Sequence, residues 1–339
     1  MTRPPPEPLL DVRRLSVTFM TRERDIAAVK DVSFALHQGE TLAIVGESGC
    51  GKSTTGLALM GLIDRGRGTN VTGSIDLVRK NGTRCDILGM DDRALRGVRG
   101  NDIAMIFQEP MSSLNPVYSI GAQVIEALRQ HQDIDTRAAG EKARALLADL
   151  GIGDTNRCLE SYPHQLSGGM RQRVMIAIAL SGNPRILVAD EPTTALDATI
   201  QAQILELLQK VQQRTGMSMI FITHNLGVVG EIAQRAIVMY AGEVTESLPV
   251  SALFEHARMP YTKALLRSLP RLGERKSEKL AVIPGSPPNL GNRLSGCAFH
   301  PRCEYFLKGR CDAEHPGLDR VGSDHAVRCL RWRDLEAVA

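Results

Sequence analysis

Gly46-Glu47-Ser48-Gly49-Cys50-Gly51-Lys52-Ser53 fits the pattern G-x-x-x-x-G-K-[ST] at every fixed position. The apolar run Leu42-Ala43-Ile44-Val45 precedes it and reads as a buried strand. Residues Thr54 to Leu62 follow and read as a helix. That context gives the pattern physical meaning. Glycines let the backbone curl so that successive N–H groups converge on an anion. The new helix adds roughly half a positive charge at its first turn. Lys52 is of a length to reach outer phosphates, the Ser53 hydroxyl is suited to ligate Mg²⁺, and Thr54 is counted with them among the ATP-binding residues.

Outward from the loop, strand and helix signals alternate. Leu15, Val17 and Phe19 alternate with polar neighbours, as do Val32, Phe34 and Leu36. Further buried runs are Ile103 to Phe107, Ile186 to Ala189 and Met219 to Ile222. Residues 110 to 180 turn helical between Gly and Pro breaks. Ile200, Ile204, Leu207, Leu208 and Val211 recur at helical spacing. Strands alternating with helices predict an α/β fold with a largely parallel, covered sheet. Pro, Gly and charge dominate 270 to 295, which reads as a linker.

Bulk properties narrow the class. The 339 residues suffice for two or three structural units. Net charge is +3, too small to argue for nucleic acid. No apolar run approaches the roughly 20 residues that span a bilayer, and the Pro-rich start, Met1 to Leu10, lacks a secretory apolar segment. A cytoplasmic setting is therefore expected. There, a cysteine cluster such as Cys297, Cys303, Cys311 and Cys329 is more often a metal site than a disulfide frame.

Two more stretches carry chemistry. Asp190 and Glu191 end the second buried run, at the edge where ligands bind in such sheets. Asp190 is suited to Mg²⁺ and Glu191 to taking a proton from an attacking water. In Leu166-Ser167-Gly168-Gly169-Met170-Arg171-Gln172, Ser167 suits a helix N-cap, and Gly168 and Gly169 leave backbone N–H groups bare for a second anion.

Together these motifs resemble the ATP-binding subunits of ATP-binding-cassette (ABC) transporters over about residues 10 to 260. Leu166 to Met170 resembles the family's signature motif, with Met170 where Gln is usual. The resemblance makes Gln108 a Mg²⁺-sensing glutamine that links to membrane subunits. It makes Asp197, in Ala195-Leu196-Asp197, part of a loop that touches a partner subunit. His224 becomes the switch histidine at the γ-phosphate, and Phe19 the aromatic that stacks on adenine. The implied fold is a P-loop NTPase (RecA-like) cassette with an antiparallel β-subdomain. Its nucleotide-binding core would be 1–109 and 182–260, its helical subdomain 110–181, and its linker and C-terminal extension 261–339. In the implied mechanism two cassettes pair head to tail, and Ser167, Gly168 and Gly169 complete the partner's ATP site. Closure and reopening then work a membrane pore.

Gln108 to Pro116 and Gly296-Cys297-Ala298-Phe299-His300-Pro301-Arg302-Cys303 resemble the dipeptide/oligopeptide (peptide/nickel) importer ATPases, as does Pro284-Gly285-Ser286-Pro287-Pro288. That resemblance implies uptake of di- or oligopeptides, with nickel, glutathione or an opine-like metabolite as alternatives. The implied partners are a second, distinct ATPase, two permeases and an extracytoplasmic solute-binding protein, at the cytoplasmic face of the bacterial inner membrane. A role on nucleic acid or ribosomes fits poorly with a single cassette and no sustained heptads. The spacing of the four cysteines matches neither common zinc sites nor bacterial ferredoxins, yet four thiolates are a complete set for a [4Fe–4S] cluster or for zinc. The resemblance carries an iron–sulfur cluster over to them; zinc or no metal stand as alternatives.

Overall fold

The computed structural model describes residues 7–64, 66, 68–108, 113–194, 196–269, 282–291 and 294–336. Three readings lie partly outside them: residues 109–112 of the stretch after Gln108, Ala195, and residues 270–281 and 292–293 of the linker. The chain divides into two compact units.

The unit that carries the phosphate loop comprises Leu10–Leu36, Thr41–Asp76 and Phe221–Ala339. Strands Leu10–Met20 and Asp25–Leu36 pair antiparallel, from Leu10 opposite Leu36 to Met20 opposite Asp25. Leu15, Val17, Val32, Phe34 and Leu36 are buried, as their alternation requires, and Phe19 is half-buried. Strand Thr41–Val45 is buried at every position and runs parallel to Arg235–Tyr240. A turn through Ala241 and Gly242, both at positive φ, returns the chain as Glu243–Pro249. The extension then continues this sheet. Ala326–Val327 pairs with Glu243–Pro249, and Asp319–Arg320 pairs with Ala326–Val327. One apolar cluster joins Val45, Val238, Tyr240 and Tyr261 to Phe299 and Val327 of the extension, with Cys297, Cys303 and Cys329 packed against it. The extension is thus built into the core of this unit.

The other unit comprises Met1–Leu9, His37–Glu40 and Leu77–Ile220. Strand Ile103–Ile106 runs parallel to Ile186–Asp190, with Ile106 opposite Ala189. Among the described residues, the α-helices between them in sequence are Ile120–His131, Thr136–Asp149, Thr155–Glu160 and Gly168–Leu180. Each begins on a side chain that accepts a first-turn amide, from Ser119, Asp135, Asp154 and Ser167. Val124 and Leu128, Ala139, Ala143 and Leu147, and Val174 and Ile176 turn inward. Helix Ala198–Thr215 buries Ile204, Leu207, Leu208 and Val211 and stops at Gly216 in the left-handed region. Among the described residues no helix is long and apolar enough to cross a membrane.

Candidate functional site

The phosphate loop leaves a fully buried strand and enters helix Lys52–Leu59. The helix begins two residues earlier than the periodicity predicts, because Gly51 sits at φ 101° and turns the chain directly into it. It ends early too, where Gly61 at φ 61° closes the last turn and its N–H donates to Ala58 O at 2.9 Å. Two glycines are dictated by space as well as conformation. A Cβ on Gly46 would lie 2.2 Å from Met239 O, and one on Gly51 2.2 Å from Ala28 O. Both neighbours are backbone, so neither can yield cheaply. Ser48 and Gly49 are exposed at the tip, whereas Cys50 is buried and its thiol pKa is pushed up by desolvation. Ser53 and Thr54 are half-buried in the first turn.

Lys52 is only 4% exposed, and its ammonium group donates to Gly46 O at 2.7 Å and Glu47 O at 3.0 Å. The cation therefore folds back onto the loop's own carbonyls. The N–H of Glu47 donates to the Tyr261 hydroxyl at 2.9 Å. Burial pushes the Tyr261 pKa well up, so the hydroxyl stays neutral. His224 follows strand Ser218–Thr223 and is exposed.

In the other unit, Asp190 and Glu191 are 4% and 9% exposed at the end of their strand. Glu191 sits at φ 47°, the left-handed region that non-glycine residues seldom occupy. Its carboxylate accepts from Thr194 Oγ1 at 2.7 Å and from Gln108 Nε2 at 3.3 Å. The register explains the meeting. Gln108 is two residues past Ile106 and Glu191 two past Ala189, and those two are opposite each other in the parallel pair. Ser167 Oγ accepts from Met170 N–H at 3.3 Å, and Gly168 is exposed beside it. A Cβ on Gly169 would stand 3.0 Å from Ile200 Cγ2. Asp197 caps the helix Ala198–Thr215, accepting from Ile200 N–H at 2.9 Å.

The four clustered cysteines come together. Cys297, Cys303, Cys311 and Cys329 all line one cavity of about 20 Å³, with Phe299 and Leu335. Burial pushes the Cys297 thiol up to about 11, the Cys303 thiol up to about 12, and that of Cys329 in the same direction. The donor set suits a soft metal by its chemistry. Among the described residues no group of three or more His, Cys, Asp or Glu is placed to hold a metal ion. The four residues line an apolar cavity.

Two contributors to the loop escaped the sequence reading. Arg302, inside a stretch read for its family resemblance and its cysteines, bonds to both carboxylate oxygens of Glu47, at 2.6 and 3.0 Å. Tyr261 had no motif to mark it. Thr194, three residues past Glu191, was the foreseeable miss: a hydroxyl at that spacing reaches back across a turn.

Comparison with known proteins agrees with this geometry. A family model described as ABC transporter matches residues 29–194, and one described as oligopeptide/dipeptide transporter, C-terminal region, matches residues 245–311. The chain is 54% identical over 336 residues to a peptide import ATP-binding protein of Brucella melitensis, covering 98% of this chain and 99% of that one. It is 46% identical over 323 residues to the dipeptide transport ATP-binding protein DppD of Bacillus subtilis, covering 95% and 94%. Among solved structures, an ATP-binding cassette in a dimeric post-hydrolysis state with ADP and Pi superposes with a TM-score of 0.62 at 29% identity, over 71% of this chain and 98% of that one.

Proposed function

The chain belongs to the ABC transporter ATPases of the oligopeptide/dipeptide group, and we propose that it hydrolyses ATP to drive import of di- and oligopeptides. One observation carries the reading: a sterically enforced phosphate loop shares its folding unit with the oligopeptide/dipeptide extension. ABC transporter ATPases act with membrane permeases. The finer composition is part of the proposal: two permeases, a distinct second ATPase and an extracytoplasmic solute-binding protein, with this chain peripheral on the cytoplasmic face of the inner membrane. So is the division into core 1–109 and 182–260, helical subdomain 110–181 and extension 261–339.

Roles follow from the chemistry of each residue. Phosphate is received by the N–H groups of Gly49, Cys50, Gly51, Lys52, Ser53 and Thr54, with Gly46 and Ser48 shaping the curl. Lys52 exchanges its two carbonyl partners for phosphate oxygens. Ser53, Gln108 and Asp190 are assigned to Mg²⁺, which neutralises phosphate charge. Glu191 takes the proton of the attacking water, and His224 reads the γ-phosphate. Phe19 stacks on adenine. Ser167, Gly168 and Gly169 serve the nucleotide of the second cassette, whose surface Asp197 also meets. Binding closes such a pair only through contacts better made in the closed state.

For the extension the proposal is a [4Fe–4S] cluster on Cys297, Cys303, Cys311 and Cys329, resting on their shared cavity alone. Iron and acid-labile sulfide, assayed on anaerobically purified protein, test it; zinc or no metal overturns it.

The function is tested by deleting the gene and following uptake of labelled di- and oligopeptides. Loss of peptide uptake, restored by the wild-type gene and not by Lys52→Ala, is expected. Intact peptide uptake with loss of nickel or glutathione uptake overturns the substrate assignment.

A further inference from the structure

We propose that Arg302 is a positioning residue of the ATP site: its clasp on Glu47 fixes the curl of the phosphate loop, so the C-terminal extension is a working part of the nucleotide site. The inference rests on the reading of that loop as the ATP site.

Glu47 is the second residue of the loop, and a carboxylate there is an electrostatic liability. A free negative charge beside incoming phosphates repels them, and repulsion grows as water is excluded. The structure removes the liability. Arg302 Nη1 and Nη2 meet the two oxygens of Glu47 at 2.6 and 3.0 Å, the fork-to-fork geometry that fixes direction as well as charge. The Arg302 side chain is 5% exposed and that of Glu47 24%. The guanidinium is itself held. Its Nε donates to Pro284 O at 2.8 Å, and Nη1 lies 3.3 Å from the Tyr240 hydroxyl. The carbonyl of Pro284, at the start of the segment Pro284 to Pro288, is thus a backbone support for this arginine.

The same loop residue is gripped a second time. Glu47 N–H donates to Tyr261, and the rings of Tyr240, Tyr261 and Phe299 pack with centroids 4.6 to 5.3 Å apart. Phe299 lies in the extension, three residues before Arg302. The third grip on Glu47 comes from Lys52, which holds its carbonyl. That grip is the one nucleotide must break, since Lys52 is needed on phosphate. When Lys52 leaves, Arg302 and Tyr261 are what keep Glu47, and with it the turn from Gly46 to Cys50, in place. Arg302 therefore acts on nucleotide affinity through the loop, with no contact to phosphate required.

The test compares Arg302→Gln, Arg302→Lys, Glu47→Gln and the double variant Arg302→Gln/Glu47→Gln in the full-length chain. ATP affinity is read by displacement of a fluorescent ATP analogue, and KM and kcat for ATP are read in the membrane-assembled transporter. Arg302→Gln is expected to weaken ATP binding about tenfold, the effect of losing one charge-assisted contact. KM rises while kcat stays within about twofold, the split expected when binding and not chemistry is lost. Arg302→Lys recovers part of the affinity, and the double variant is no worse than Arg302→Gln, because the two side chains act as one pair. A purely structural role predicts a lower melting temperature with unmoved affinity in the folded protein, and that result overturns the proposal, as do effects that multiply in the double variant. Should Arg302→Gln fail to fold, Arg302→Lys and Glu47→Gln decide by the same affinity readout. Wild-type protein that binds no ATP overturns the ATP-site reading itself; wild-type binding with unmoved variants overturns this inference alone.

Discussion

Gln108 Nε2 stands 3.3 Å from Glu191 Oε2, joining the ends of two neighbouring parallel strands. The same oxygen accepts from Thr194 Oγ1 at 2.7 Å. Glu191 is thus oriented by two donors while held at an unfavourable φ of 47°, the kind of strain that clusters at functional sites. Glu191→Gln keeps the size and removes the basic oxygen. Hydrolysis in the assembled transporter is expected to fall at least about 10²-fold, the usual size for a lost general base, while ATP affinity stays near wild type. Steady-state phosphate release and nucleotide binding measure the two; normal turnover removes Glu191 from the role.

Gly49 and Gly51 separate conformational strain from collision. Both have positive φ, 77° and 101°. A Cβ on Gly49 meets nothing within 4 Å, whereas one on Gly51 falls 2.2 Å from Ala28 O. Gly49→Ala should cost about 1–2 kcal/mol, the left-handed penalty alone. Gly51→Ala should cost clearly more, because strand Asp25–Leu36 must shift or the loop must open. Urea unfolding midpoints of the two variants give the comparison, and equal costs would contradict the packing described.

Lys52 presents a different case, since its ammonium already has two carbonyl partners. Lys52→Ala deletes a buried cation whose proposed role is to exchange those partners for phosphate. Apo stability is expected to fall by about 1–3 kcal/mol, the cost of losing a buried cation's bonds to two carbonyls offset by its desolvation. ATP affinity is expected to drop by at least about tenfold. Thermal melting without and with ATP separates the two effects: the melting shift produced by ATP should vanish. A retained shift would show that phosphate is held without this side chain.

Where periodicity and local rules decide structure, the sequence was readable. The buried runs around Leu42, Ile186 and Met219 are strands, and Ile204 to Val211 form one helix face, because burial imposes the spacing. The glycines of the loop were identifiable for the same reason: few residues tolerate their φ. The helix start at Lys52 was misplaced because no side chain caps it and a left-handed Gly51 does that work. Arg302 was invisible as part of the loop, since its partner Glu47 lies 255 residues away and nothing local marks a pairing at that distance. The cysteines illustrate the limit from the other side. Their count pointed to a shared site and they do line one cavity, but count and spacing could not show that this cavity is apolar or that burial raises the pKa of Cys297, Cys303 and Cys329.

His131 gives a pH dependence with a definite sign. Its ring packs over Gly100 and Gly182, where an added Cβ would come within 2.3 and 3.3 Å of ring atoms. Burial, and then the nearby Lys80 ammonium, hold its pKa below the usual 6.5. The unfolded chain therefore binds this proton more readily than the folded one. Stability from the neutral ring is complete above pH 6.5 and is lost as pH falls below 6.5 through the folded value. His131→Gln removes the titration while keeping a polar side chain. The gap between wild type and variant in urea midpoint should be constant above pH 7 and shift against wild type between pH 6.5 and 5. Lys80 supplies the control: its ammonium donates to Gly182 O at 2.7 Å, and Lys80→Met should reduce the acid-side shift by removing the like charge. A gap that stays flat across the whole range would place the His131 proton in solvent, contrary to the packing of its ring.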